Sequence, residues 1–63
     1  MRVRMMERRK ELGLTQEAVA NKATIARTTY TSIELGDKNP SLTVAIKLKE
    51  VLKYSNDDIF FND

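Results

Sequence analysis

Arg27, Thr28, Thr31 and Ser32 carry hydrogen-bonding side chains at spacings that bring them to one side of a helix. They follow the roughly 3.6-residue period, with Tyr30 and Ile33 on the other side. A helix that lies in the major groove of duplex DNA needs this layout. A guanidinium there can donate as a fork to guanine O6 and N7, and hydroxyls can meet base edges or the thymine methyl. Arg27 is the candidate for the guanine contact. Thr28, Thr31 and Ser32 are the further base-contacting candidates.

Other elements must hold this helix in place. Just upstream, Thr15-Gln16-Glu17-Ala18-Val19-Ala20 reads as a shorter helix, with a tight turn between the two. Thr15 is its N-cap and Glu17 suits the positive end of its dipole. Gln16 sits where free backbone N–H groups can attract a phosphate. The second of the pair runs from about Ala26 to a cap at Gly36. A first helix is predicted over about Arg2–Leu12, with Val3, Met5 or Met6, the stem of Arg9 and Leu12 on one face. Gly13 supplies its left-handed terminus. After the turn Asp37-Lys38-Asn39-Pro40, Ser41 caps a fourth helix from Leu42 to about Lys53. Its apolar stripe is Leu42, Ala45, Ile46, Leu48, Val51 and Leu52. Ser55 is the expected cap of a last short helix, with Asp58 as its reciprocal partner. Ile59 and Phe60 close the core. No alternating β-branched run reads as a strand.

Composition narrows the function classes. Sixty-three residues make one domain, residues 1–63, with a core built from packed helices. Without cysteine or histidine, neither disulfides nor the usual zinc-ligand sets are available. No metal or other cofactor is expected, and Asp57 and Asp58 read as helix-start carboxylates. No Gly-rich phosphate loop and no length for a substrate cleft argue against an enzyme. No apolar run approaches the roughly 20 residues of a membrane span, so a cytoplasmic protein is expected. Net charge is +2 and unevenly spread. Residues 1–38 hold eight Arg/Lys against five Asp/Glu, and residues 39–63 hold three Lys against four acids. Arg2, Arg4, Arg8 and Lys10 read as solvated charges.

Several motifs agree in order and spacing with a known family. They are Arg9-x-x-x-Gly13-Leu14-Thr15-Gln16-Glu17-x-Val19-Ala20, Arg27-x-x-Tyr30-x-x-Ile33-Glu34-x-Gly36, Asn39-Pro40-Ser41-Leu42 and Asp57-Asp58-Ile59-Phe60. Together they resemble the Cro/C1-type (XRE) helix-turn-helix regulators across about residues 5–61. The resemblance implies an all-α, five-helix bundle of the lambda-repressor-like DNA-binding type, with the helix-turn-helix at about residues 16–35. It implies base contacts from Arg27, Thr28 and Ser32. Backbone contacts would come from Thr15 and Gln16 and from Lys38 and Asn39, with the Tyr30 hydroxyl able to reach a phosphate. It also implies an ion pair between Arg9 and Glu34, joining the first and third helices.

The implied function is that of a sequence-specific transcriptional regulator of double-stranded DNA, expected to repress by occupancy. One small domain touches too few base pairs to select a genomic site. A homodimer on an inverted repeat is therefore expected, with recognition helices about 34 Å apart. Tyr54 and Phe61 are its candidate interface, and no small-molecule effector is evident. The alternative is an antitoxin-like or adaptor protein of the same fold whose main partner is another protein.

Three positions depart from the family pattern. Thr24 stands where the turn usually has glycine, and a threonine in a left-handed conformation is strained. Ala26 replaces a hydroxyl N-cap, at a cost of about 1 kcal/mol. Lys49 replaces a small inward residue and is expected to carry its charge to the surface.

Overall fold

A computed structural model describes residues 1–62. Its α-helices are α1 (Val3–Glu11), α2 (Gln16–Ala23), α3 (Arg27–Leu35) and α4 (Leu42–Val51), followed by a 3-10 helix at Asp57–Phe60. The expected count of five α-helices is therefore corrected to four plus one tight turn. Asp57–Phe60 is too short for an α-helical hydrogen-bond ladder, and i→i+3 bonding closes so brief a segment. Among the described residues there is no strand, and no helix is long and apolar enough to cross a membrane.

All four helices end in the same backbone closure. At the end of α1, Gly13 N–H donates to Lys10 O and Leu14 N–H to Arg9 O, at 2.9 and 3.1 Å. Equivalent bonds run from Thr24 and Ile25 to Asn21 and Ala20, from Gly36 and Asp37 to Ile33 and Ser32, and from Lys53 and Tyr54 to Glu50 and Lys49. This closure requires a left-handed residue at its centre. Gly13 and Gly36 provide it without strain, at φ +71° and +87°. Thr24 and Lys53 provide it with a Cβ present, at φ 60° and 51°. The turn between α2 and α3 thus keeps the glycine-type geometry, and Thr24 bears the steric cost.

The helix starts are less uniform. Thr15 Oγ1 accepts from Ala18 N–H at 3.0 Å, and Ser41 Oγ from Val44 N–H at 3.3 Å. Ala26 makes no side-chain cap. Asn56, not Ser55, caps the 3-10 helix, accepting from Asp58 N–H at 3.0 Å. The helix begins one residue later than the sequence pattern indicated, so Ser55 lies too far upstream.

Met5, Val19, Ala20, Ala23, Tyr30, Ile33, Leu48, Leu52 and Ile59 form the buried core, with Phe60 packed at its edge. α2 packs against both α3 and α4, and α1 packs against α3 and the 3-10 helix. The expected stripe of α4 is only partly inward. Leu48 and Leu52 are buried, whereas Leu42 is 78% and Ile46 47% exposed. A domain measuring 24 × 22 × 18 Å leaves part of so broad a stripe uncovered. Lys49 reaches Asp57, with Nζ 2.7 Å from Oδ1.

Arg2 and Arg8 are structural, which corrects their reading as solvated charges, while Arg4 and Lys10 are exposed. Arg2 is 3% exposed. It donates to the carbonyls of Ile33 (2.5 Å), Lys38 (3.1 Å) and Phe60 (2.9 Å), and to Asn39 Oδ1 (2.7 Å). Arg8 donates to Leu52 O and Lys53 O at the end of α4. Arg4 pairs with Asp58 and stacks over the Phe61 ring, 5.9 Å from its centroid. A cation at a helix carboxyl end meets orphan carbonyls and the negative end of the dipole. Arg2 serves α3 in this way and Arg8 serves α4.

Candidate nucleic-acid interface

Glu34, on the last turn of α3, is 1% exposed and organises the surface beside it. Arg9 clasps its carboxylate with two bonds, Nε to Oε2 at 2.9 Å and Nη2 to Oε1 at 3.1 Å. Arg9 also donates to Leu14 O at 2.9 Å, tying the α1–α2 turn to the same group. Tyr30 donates its hydroxyl to Glu34 Oε2 at 2.6 Å, and Gln16 donates Nε2 to Oε1 at 3.2 Å. Burial works to raise the Glu34 carboxyl. The hydrogen bonds from Arg9, Tyr30 and Gln16 outweigh it and hold the group below the usual carboxylate range. The bond to Glu34 raises Arg9 further, and burial, then Glu34, pushes the Tyr30 phenol well up. The result is a charged pair whose hydrogen bonds are satisfied in the interior, so breaking it would leave a buried charge.

The network reaches the surface through Gln16. Thr31 donates its hydroxyl to Gln16 Oε1 at 3.1 Å. Gln16, Arg27, Thr28, Thr31 and Ser32 line one shallow concavity of about 370 Å³. The first residue of α2 and the polar face of α3 thus meet on one surface. Arg27 and Thr28 are exposed there, while Thr31 and Ser32 are half-buried.

The remaining candidates are placed as follows. Thr15 is exposed at the start of α2, with its hydroxyl capping the helix. Lys38 and Asn39 are exposed just past α3. Arg2 holds the Lys38 carbonyl and the Asn39 side-chain oxygen, so this loop is anchored from beneath. Tyr30 is fully buried and its hydroxyl is engaged by Glu34. Its reading as a phosphate contact is corrected, since the ring packs inward and the hydroxyl follows it. Tyr54 is half-buried beside the core and Phe61 is 61% exposed. Arg4 connects the two, standing over the Phe61 ring and lining a groove with Tyr54.

Arg2 and Arg8 were missed as positioning residues. Their acceptors are carbonyls 31 to 58 residues away, or 44 and 45 for Arg8. No local spacing encodes such partners.

Comparison with known proteins agrees with this geometry. The helix-turn-helix family model matches residues 5–59, and the chain belongs to that family, in its Cro/C1-type (XRE) branch. It is 40% identical to an uncharacterized HTH-type transcriptional regulator of Archaeoglobus fulgidus, over all of this chain and 90% of that protein. It is 41% identical to one from Methanothermobacter thermautotrophicus, over all of this chain and 93% of that protein. It is 44% identical to the uncharacterized HTH-type transcriptional regulator YqaF of Bacillus subtilis, over all of this chain and 82% of that protein. No solved structure matches the chain. The fold and family define a DNA-binding transcriptional regulator.

Proposed function

We propose that this protein is a cytoplasmic repressor that reads double-stranded DNA with α3, acting as a homodimer on an inverted repeat. One observation carries the reading. Arg27, Thr28, Thr31 and Ser32 share a concave surface with Gln16, and Glu34 beneath it accepts from Gln16 of α2 while pairing with Arg9 of α1. Arg27 donates to a guanine edge, and Thr28, Thr31 and Ser32 face neighbouring bases. Gln16 keeps one amide hydrogen for a phosphate, and Thr15, Lys38 and Asn39 contact the backbone on either side. A bare domain of this kind represses by occupying the site. The dimer is built through Phe61 and Tyr54, joined on the surface by Arg4.

Selection of bound duplexes from a random pool tests the reading. An inverted repeat with half-sites about one DNA turn apart is the expected outcome. Binding with no sequence preference at any salt concentration would remove the operator role.

A protein partner is favoured by a different observation, the exposure of Leu42 and Ile46 along α4. In that antitoxin-like or adaptor role a second polypeptide copurifies with the chain and covers these residues. Since an antitoxin of this fold can bind DNA as well, copurification decides: purification without a second polypeptide favours the repressor.

A further inference from the structure

We propose that Glu34 sets the hydrogen-bond polarity of the groove surface through Gln16, leaving Thr31 an acceptor-only reader of bases that present an exocyclic amino group in the major groove. The inference rests on the DNA reading above and deepens it to a base class. Glu34 is clasped by Arg9 as a carboxylate and can only accept. The end of the Gln16 amide that faces it must therefore be the NH2, as the 3.2 Å contact from Nε2 has it. That choice determines the orientation of the whole amide, which is otherwise ambiguous. The amide oxygen then faces Thr31 Oγ1 at 3.1 Å. A carbonyl oxygen only accepts, so the Thr31 hydroxyl supplies the proton.

Thr31 has one hydroxyl hydrogen, and Gln16 holds it. Lone pairs are what remain toward the concavity that Thr31 shares with Arg27, Thr28 and Ser32. In the major groove, adenine N6 and cytosine N4 donate, while guanine O6 and N7 and thymine O4 accept. An unconstrained threonine can meet either kind. Here it accepts from adenine or cytosine on the strand beneath it and is mismatched to guanine or thymine. Gln16 is a positioning residue in this scheme, because it acts on the base through Thr31.

The test compares sequences bound from a random duplex pool by the unaltered protein and by Thr31→Val, Thr31→Ser and Gln16→Met variants. Circular dichroism and thermal melting check that each variant folds. The unaltered protein should enrich adenine or cytosine roughly fivefold over guanine or thymine at one position on one strand. Thr31→Val should lose that preference at that position alone, and Thr31→Ser should retain it. Gln16→Met should reduce the preference to less than about twofold, because the freed hydroxyl donates as well as accepts. This last comparison decides the matter with Thr31 intact. An unchanged preference in Gln16→Met, a guanine or thymine preference, or no position responding to Thr31→Val would overturn the proposal. A pool in which nothing is enriched removes the DNA reading itself, and the proposal with it.

Discussion

The backbone N–H of Arg2 donates to the carbonyl of Glu34 at 2.8 Å, joining the start of α1 to the last turn of α3. The Arg2 guanidinium adds Ile33 O in α3, Lys38 O and Asn39 Oδ1 in the following loop, and Phe60 O in the 3-10 helix. Glu34 is thus held from both sides, by Arg2 at its backbone and Arg9 at its side chain. The helix proposed to read DNA, packed on α2 through its buried face, is also clamped by two arginines of the first nine residues.

Arg2→Met should therefore destabilise the fold by roughly 2–4 kcal/mol, because several carbonyls lose a charged donor in the interior. Lys10→Ala, at an exposed position on α1, should change stability by less than about 0.5 kcal/mol. Urea denaturation of both variants checks the contrast. Equal effects would mean that the burial of Arg2 carries no energetic weight.

Arg9→Ala or Glu34→Ala should each cost about 3–5 kcal/mol, since the remaining partner is left buried and unpaired. The double variant should cost much less than the sum. A double-mutant cycle without coupling would refute the pair as a structural element.

The same pair makes stability depend on pH. Glu34 is depressed in the folded state. Its contribution is present above the unfolded carboxylate value, near 4.3, and is lost as pH falls through the lower folded value. Tyr30 is raised. Its contribution is complete below the unfolded phenol value, near 10, and declines as pH rises past it. Melting temperature measured against pH should show both limbs. Glu34→Gln should flatten the acid limb and Tyr30→Phe the alkaline one.

Thr24→Gly should stabilise the protein by about 1 kcal/mol, since the left-handed centre of the α2–α3 turn then bears no Cβ strain. Ala26→Ser should add about 1 kcal/mol by capping α3. The two act on different terms, backbone strain and an orphan N–H. Thermal unfolding of each single variant separates them, and a loss of stability in either contradicts its assignment.

Arg27→Ala should weaken binding to a selected site by ~1–3 kcal/mol and relax preference at one base position. Titrations on the selected and on random duplexes distinguish the roles. Equal losses on both would make Arg27 a phosphate contact.

Local signals were legible in the chain. The helical period, the caps at Thr15 and Ser41, and the left-handed glycines depend on residues within four or five positions of one another, so α1 to α4 can be read directly from the sequence. The grouping of Arg27, Thr28, Thr31 and Ser32 follows from the same period. Tertiary structure decided what depends on distant partners. It turned Arg2 and Arg8 from apparent surface charges into clamps on the ends of α3 and α4, because carbonyl acceptors have no sequence signature. It engaged the Tyr30 hydroxyl with Glu34, shortened the last helix to one turn, and left Leu42 and Ile46 outside the core. It also joined Gln16 to Glu34 and Thr31, which are 18 and 15 residues away. Helical pattern states which face a side chain occupies, whereas the partner it meets there is chosen by how the helices pack.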